Sequence, residues 1–447
     1  MSNHRFTLSV RGSKAVESAD IVIDDITVLA GVNAAGKSTL ARMMNLLVNL
    51  SQNYPLLAQK AAWKNLTDLA FQIRQFDCRI KEATSAFILA AEAGPDFTSM
   101  VGTVDFSLVL KLLHDYSFSV LEKYFSSAQN GDRQRAYATF LRGIGVGEEF
   151  AQDVDKVKNV IQGKLDRAMD RYHELCAVRR YDVYNNALGD EVNWLVDADS
   201  VCLSEGGQIV YETERSEDHQ AKSAGKSPLK EIFGLRKSFY LASPWYSVPT
   251  VDENGILRIP GDEFAHAPSR LDVPVDQDLF GLMNGSFDKK EVPAKNRAGV
   301  SDWVYRRKDG LEVEFKDCAT GLKSLAILNL LYKNRYLDSE TLLIIDEPEV
   351  HLHPQWVVQY AKILVQICKT LKVRLLLTSH SPDMVSALKV MSEAEGVTGV
   401  NFYSAESSQT DKYRYAYRSQ GNDIEKIFEC FGRSIEAIDN YQAYLKS

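Results

Sequence analysis

An octapeptide near the amino terminus, Gly31-Val32-Asn33-Ala34-Ala35-Gly36-Lys37-Ser38, follows the apolar run Ile26-Thr27-Val28-Leu29-Ala30 and fits G-x-x-x-x-G-K-[ST] at every fixed position. Few folds accept such a loop. Its backbone N–H groups and the first turn of a helix must converge on one anion, so a strand has to end where a helix begins. The spacing predicts a strand over 26–30 and a helix opening at Thr39-Leu40-Ala41. Lys37 is then expected to reach the β- and γ-phosphates of ATP, and the Ser38 hydroxyl to ligate Mg²⁺. Gly31, Asn33, Ala34, Ala35, Gly36 and Thr39 complete the nucleotide-binding stretch.

Two apolar runs in the second half supply partners. Thr341-Leu342-Leu343-Ile344-Ile345 has the unbroken apolar text of a strand buried on both faces, and it ends in Asp346-Glu347. Asp346 is expected in the Mg²⁺ shell. Glu347 is expected to polarise the attacking water, because a hydrolytic base must lie close to the metal-binding carboxylate yet be distinct from it. Val373-Arg374-Leu375-Leu376-Leu377-Thr378 ends in Ser379-His380-Ser381-Pro382, which puts His380 at the carboxyl end of a third parallel strand, within reach of a γ-phosphate.

Asp346-Glu347-Pro348-Glu349-Val350-His351-Leu352-His353-Pro354, followed by Thr378-Ser379-His380-Ser381-Pro382, resembles the ATP-binding-cassette type of AAA-family ATPase. Within it the resemblance is to the branch holding the OLD (overcoming lysogenisation defect) proteins and related phage-defence ATPases, whose D-E-P-E-x-x-L-H-P is matched from Asp346 to Pro354. The resemblance implies a catalytic glutamate at Glu347 and a switch histidine at His380. His351 and His353 lack a nearby Cys or third His and are read as turn and helix-start residues, not metal ligands.

The resemblance also implies a signature loop that caps the γ-phosphate of a nucleotide held by a second subunit. Its match is Ala319-Thr320-Gly321-Leu322-Lys323-Ser324, with Thr320 and Gly321 in the ATP-binding role; Leu322 and Lys323 depart from the usual Gly and Gln or Glu. Read without the family, Thr320-Gly321 is a helix N-cap. A head-to-tail homodimer around two ATP molecules follows as an expectation. So does a place as the ATPase component of a bacterial anti-phage system of the Septu, PARIS or retron-linked kind, with a separate nuclease or toxin as effector.

Composition narrows the alternatives. The 447 residues are 45% hydrophobic and 25% charged, as for an ordinary globular protein, and carry a net charge of −8, which argues against nonspecific nucleic-acid coating. No apolar run approaches a membrane span and no signal-peptide pattern opens the chain, so a cytoplasmic location and no membrane partner are expected. Cys78, Cys176, Cys202, Cys318, Cys368 and Cys430 lie far apart and indicate neither disulfides nor a zinc site.

The distance between Lys37 and Gly321 sets the expected organisation: an α/β, ABC-type P-loop ATPase sheet flanked by helices, with a large, mainly helical insertion between phosphate loop and signature. The expected boundaries are an N-terminal core lobe over 1–46, the insertion over 47–190, a mixed β-rich segment over 191–310 and a C-terminal core lobe over 311–447. Strand-like text occurs at Ser200–Leu203, Gln208–Glu212 and Lys237–Leu241, and a hairpin is expected from Trp303–Arg306 and Leu311–Phe315 around Lys308-Asp309-Gly310. A polar loop is expected from about Thr213 to Lys230 and another over Ala294–Ser301; after His380, one helix, a short strand near Val400–Tyr403 and closing helices. The helical text lacks sustained heptads, which argues against an SMC-type rod.

Arg133, Arg135, Arg142, Arg167, Arg171, Arg179 and Arg180, with Tyr172 and Tyr181 among them, are the one candidate nucleic-acid surface, but interleaved Asp153, Asp155, Asp166, Asp170 and Glu174 favour a solvated mixed-charge face. A DNA-repair or recombination ATPase acting directly on DNA is the alternative function. A transporter subunit fits less well, since Gln52 and Gln59 are the only early candidates for a membrane-facing Gln loop.

Overall fold

The computed structural model describes residues 5–81, 95–101, 104–127, 131–177, 198–214, 230–242, 250–251, 257–259, 265–269, 276, 279–289, 303–409, 411–429 and 431. The chain divides into two compact units, one drawn from Met1–Gln52, Trp194–Ser223 and Leu229–Ser447, the other from Asn53–Asn193 and Ala224–Pro228.

The first unit is built on a mixed sheet. Its strands are β1 (Phe6–Ser13), β2 (Val16–Ile23), β3 (Ile26–Ala30), β4 (Ser200–Glu205), β5 (Gln208–Glu214) and β6 (Lys237–Ala242). Small strands follow: β7 (Thr250–Val251), β8 (Leu257–Arg258), β9 (Ala265–His266), β10 (Gly285–Lys289), β11 (Trp303–Arg307) and β12 (Glu312–Glu314). The last four are β13 (Thr341–Asp346), β14 (Arg374–Ser379), β15 (Val400–Ser407) and β16 (Tyr415–Gly421). The large sheet runs β5-β4-β1-β2-β16-β15-β3-β14-β13-β6, and β7–β9 and β10–β12 form two three-stranded sheets. The β11–β12 pair is the expected hairpin.

Sequence pattern explains the division of labour. In β3, β13 and β14 nearly every residue is buried, and these strands pair in parallel, as do β13 and β6. A strand covered on both faces can only be apolar throughout. In β1 buried and half-buried residues alternate, and it pairs antiparallel with β2 and β4.

Three helices flank the sheet core: α6 (Thr320–Lys333), α7 (Pro354–Leu371) and α8 (Pro382–Glu395), where α1–α5 are the helices described next. They bury Leu325, Leu328, Leu364, Ile367, Val385 and Leu388 in one cluster with Val28, Leu343, Ile345, Leu375 and Leu377 of the sheet. The 27-residue α1 (Lys37–Trp63) starts at the phosphate loop. Its Asn49 exchanges hydrogen bonds with the backbone of Ser238 in β6, 2.8 Å to the carbonyl and 3.1 Å from the N–H. The expected boundary at residue 46 falls inside this helix. The two units instead divide between Gln52 and Asn53, close to Pro55, whose missing N–H interrupts the helical ladder.

The second unit holds α2 (Thr67–Ile80), a single helical turn (Phe97–Met100), α3 (Phe106–Ser126), α4 (Gly131–Ile144) and α5 (Val154–Ala177). Aromatic packing centres it: Phe76 stacks on Phe140 at 4.9 Å and Tyr124 on Tyr137 at 4.5 Å. Buried Asp77 is held by Lys81 at 2.8 Å and by the Tyr116 hydroxyl at 2.7 Å. Arg135 pairs with Asp132 and Arg171 with Glu174, and the Tyr172 ring leans on Phe106 at 5.0 Å instead of standing free. Arg179, Arg180 and Tyr181 lie outside the described residues, as do most of the expected loop from Thr213 to Lys230 and all of Ala294–Ser301.

A strand the sequence reading did not mark, β16, follows β15 and lies between β15 and β2 with Ala416 and Tyr417 buried; residues 425–429 are helical, and the rest of the expected closing helices lies outside the described residues apart from 431. Among the described residues, no helix is long and apolar enough to cross a membrane.

Candidate functional site

The register of three parallel strands assembles the site. Ser379 pairs with Ala30 and Thr378 with Asp346, so β3, β14 and β13 end side by side, and Gly31, His380 and Glu347 are the next residue of each. The Gly31 N–H donates to the Ser379 carbonyl at 3.3 Å, which fixes the start of the phosphate loop against the end of β14.

Val32, Asn33 and Ala34 form an exposed arc, while Ala35 and Lys37 are buried beneath it. Ala34 at φ +64° and Gly36 at φ +91° turn the backbone through left-handed conformations, the geometry that points successive N–H groups into one concavity. Two close approaches demand glycine. A Cβ on Gly31 would lie 2.6 Å from that of Ala405, and one on Gly36 would lie 2.6 Å from Cγ2 of Val16. The Tyr417 hydroxyl of β16 donates to the Ala35 carbonyl at 3.1 Å.

Lys37 is 4% exposed, and its ammonium donates to the carbonyls of Gly31 at 3.0 Å and Val32 at 2.9 Å. Burial pushes its pKa down; Glu347, Asp346 and Glu349 pull the other way. A cation already inside the loop and faced by three carboxylates suits a polyphosphate, which adds negative charge on the loop's open side.

Ser38 Oγ donates to Asp346 Oδ1 at 2.9 Å across 308 residues of sequence. The same oxygen accepts from the Thr378 hydroxyl, and Oδ2 accepts from the Tyr240 hydroxyl at 2.7 Å. Arg42, one turn beyond Ser38, donates to that hydroxyl at 3.1 Å and lies over the Tyr240 ring at 5.4 Å. Burial and the Asp346 charge raise the Tyr240 pKa, so the hydroxyl stays a donor. A hydroxyl and a carboxylate oxygen meeting at one point are hard ligands of the kind Mg²⁺ takes, and the residues present therefore fit that ion.

Glu347 has φ +54°, an unusual conformation for a residue with a side chain. It is held there by its own N–H, which donates to the Thr378 carbonyl and to the Thr378 hydroxyl, both at 3.1 Å. His380 Nδ1 lies 3.4 Å from Glu347 Oε1 and 3.6 Å from Glu349 Oε1. Glu349 is buried, and its Oε1 accepts from the Ser379 hydroxyl at 2.7 Å and from the His380 N–H at 2.9 Å. Burial pushes the Glu349 carboxyl up, and Ser379, the backbone N–H groups and His380 oppose that shift.

Sequence reasoning singled out neither Glu349 nor Tyr240. The second Glu of Asp-Glu-Pro-Glu was a signal, since a carboxylate between apolar residues in a proline turn must find buried donors. Tyr240 gave none, because its role depends on β6 lying beside β13.

Thr320 and Gly321 open α6, but the N-cap is Ala319, so Thr320 is the first helical residue and not the cap. A Cβ on Gly321 would lie 2.9 Å from the His351 carbonyl and 2.8 Å from Leu352 Cδ2, which seats this helix start on the turn after Glu349. The Lys323 ammonium donates to the Lys316 carbonyl at 2.7 Å. Within this chain, among the described residues, Thr320 makes no side-chain hydrogen bond to Lys37, Ser38, Asp346, Glu347 or His380. His353 N-caps α7, its Nδ1 accepting from the Gln355 N–H at 3.4 Å, and no metal-binding group of His, Cys, Asp and Glu occurs among the described residues.

Residues 268–385 match the model of the AAA ATPase domain, a span holding Thr320, Asp346, Glu347 and His380 but not the phosphate loop. The Septu protein PtuA of Bacillus thuringiensis is 28% identical over 125 residues; the match takes in 25% of this chain and 30% of that protein's length. Similar solved structures include the SMC head domain from Thermotoga maritima (TM-score 0.35, 10% identity, 93% of this chain and 98% of that one). Another is the Smc head domain with an extended coiled coil, bound to the C-terminal domain of ScpA, from Pyrococcus furiosus (TM-score 0.31, 8% identity, 98% of each chain). The matched span, with the Asp346 strand inside it and the phosphate-loop sequence upstream, makes residues 268–385 similar to an AAA ATPase domain.

Proposed function

We propose that this chain is the ATP-hydrolysing switch subunit of an anti-phage defence system. The observation that carries the reading is the meeting of Ser38 with Asp346, beside Lys37 and the Glu347–His380 pair, at the ends of neighbouring strands. Gly31 to Thr39 hold the ATP phosphates, Ser38 and Asp346 hold Mg²⁺, and Glu347 takes the proton of the attacking water. Mg²⁺, when bound, supplies charge neutralisation at the phosphates. Thr320 and Gly321 act on the nucleotide of a second copy, which is consistent with Thr320 making no side-chain hydrogen bond to this chain's own Lys37 or Asp346 among the described residues. The likeness to a Septu protein and to the D-E-P-E-x-x-L-H-P branch supports the defence role, with a separate nuclease or toxin as the controlled effector.

The test has a biochemical and a cellular arm. Purified protein should hydrolyse ATP with Mg²⁺ and lose that activity in EDTA, and Lys37→Ala should abolish ATP binding by calorimetry. Cells carrying the gene with its neighbours should resist phage, and Lys37→Ala should remove that resistance. Hydrolysis without any Lys37-dependent protection, but stimulated by DNA, would replace the defence reading with that of an ATPase acting on DNA.

A further inference from the structure

The chain places a second carboxylate behind the Glu347–His380 pair. Glu349 is 8% exposed, and its Oε1 accepts from two donors, the Ser379 hydroxyl at 2.7 Å and the His380 N–H at 2.9 Å, with the His380 ring Nδ1 3.6 Å away. Its other oxygen, Oε2, is buried and has no hydrogen-bond partner among the described residues. Burying a carboxylate oxygen without a donor costs stability, on the order of 1–3 kcal/mol or more. A merely structural turn has no use for that cost, since Gln or Ser could serve the same two donors without a charge.

The groups that act on this carboxyl are His380 and Ser379 from the end of β14 and, electrostatically, Lys37 from the phosphate loop; Glu347, from the same turn, faces His380 from the other side. His380 Nδ1 is itself buried and makes no close hydrogen bond, so it sits between two carboxylates.

We propose that Glu349 is a positioning residue for His380, fixing the backbone that carries it and the tautomer of its ring. Negative charge on both sides of Nδ1 favours the proton there, which leaves Nε2 as the nitrogen where a second proton is gained or passed on. Glu347 can then turn to the water while Glu349 keeps the imidazole in place. One carboxylate serves the reaction and the other serves the histidine. This inference rests on the ATPase reading above and adds to it the residue that orients His380.

The test is a double-mutant cycle with a second, nucleotide-free readout. Glu349→Gln should lower kcat by about tenfold or more with KM changed less than about twofold. In a His380→Ala background the same substitution should cost nothing further. An equal loss in both backgrounds, or an unchanged kcat in the wild-type background, overturns the proposal.

Ring ¹⁵N chemical shifts of His380 in the nucleotide-free full chain, assigned by their absence in His380→Gln, report the tautomer directly. Glu349→Gln should move them, and identical shifts overturn the proposal even if the protein proves not to hydrolyse ATP. If instead the shifts move but no hydrolysis occurs, the positioning role stands and the enzymatic reading falls. Should Glu349→Gln fail to fold, Ser379→Ala removes one anchor of the same carboxylate and should lower kcat about threefold, again only when His380 is present; a loss independent of His380 overturns the proposal.

Discussion

The Tyr240 hydroxyl donates to Asp346 Oδ2 at 2.7 Å, so the carboxylate assigned to Mg²⁺ is held on both oxygens, by Tyr240 on one and by Ser38 and Thr378 on the other. Such a carboxylate is oriented before any ion arrives. Removing the hydroxyl in Tyr240→Phe should cost about 1 kcal/mol of that orientation, or about fivefold in the Mg²⁺ concentration that half-saturates hydrolysis. A Mg²⁺ titration of ATPase rate checks it, and an unchanged midpoint would mean that Tyr240 only packs against Arg42.

Glu347→Gln should retain ATP binding and slow hydrolysis by about 10²-fold or more, because an amide cannot accept the water's proton. The ATP-bound form should then accumulate as a dimer, visible by light scattering in ATP but not in ADP. Wild-type turnover in this variant would shift the role of base to His380, whose Nδ1 lies 3.4 Å from Glu347 Oε1.

Lys37→Ala and Thr320→Arg should each be inactive alone. Mixed, they should recover about half the sites, because one site of each heterodimer combines an intact phosphate loop with an intact Thr320-Gly321. Arg at 320 acts by blocking the clamp; loss of the hydroxyl alone would remove only ~1 kcal/mol. If subunit exchange is demonstrated and the mixture stays inactive, the two sites are self-contained or obligatorily coupled.

Burial holds the Glu349 carboxyl above the ordinary glutamate value of 4.5. The folded state therefore binds that proton more tightly than the unfolded state does. The resulting stability is fully present below about pH 4.5 and is lost as pH rises through the folded-state value. Calorimetric Tm measured from pH 4.5 to neutral should show Glu349→Gln gaining on the wild type as pH rises. Parallel curves would mean that the carboxyl titrates normally.

The motifs that were legible in the sequence are those whose chemistry is local. Gly31–Ser38 and Asp346–Glu347 reveal themselves because a phosphate loop and a buried parallel strand each need a fixed local text, and β3, β13 and β14 stand where that text puts them. Tyr240 and Thr378 act across strands, so nothing adjacent to them in sequence marks their roles, whereas Glu349 is marked only by its place in a proline turn. β16 escaped notice because Tyr415-Ala416-Tyr417-Arg418 is short and stands among polar residues, and only its place between β2 and β15 buries it.

β3 has its two sheet neighbours, β14 and β15, more than 300 residues downstream. On the ribosome, at about 5–20 residues per second, the strand that leads into the phosphate loop therefore waits roughly 15–80 s for its partners to be made. During that interval Ile26-Thr27-Val28-Leu29-Ala30 is an exposed apolar edge, and contacts of such high sequence separation are also the slow ones to form once the chain is released. Nucleotide binding therefore has to be among the last properties this protein acquires during its synthesis, and a truncated nascent chain would carry the phosphate-loop sequence without any power to act on ATP.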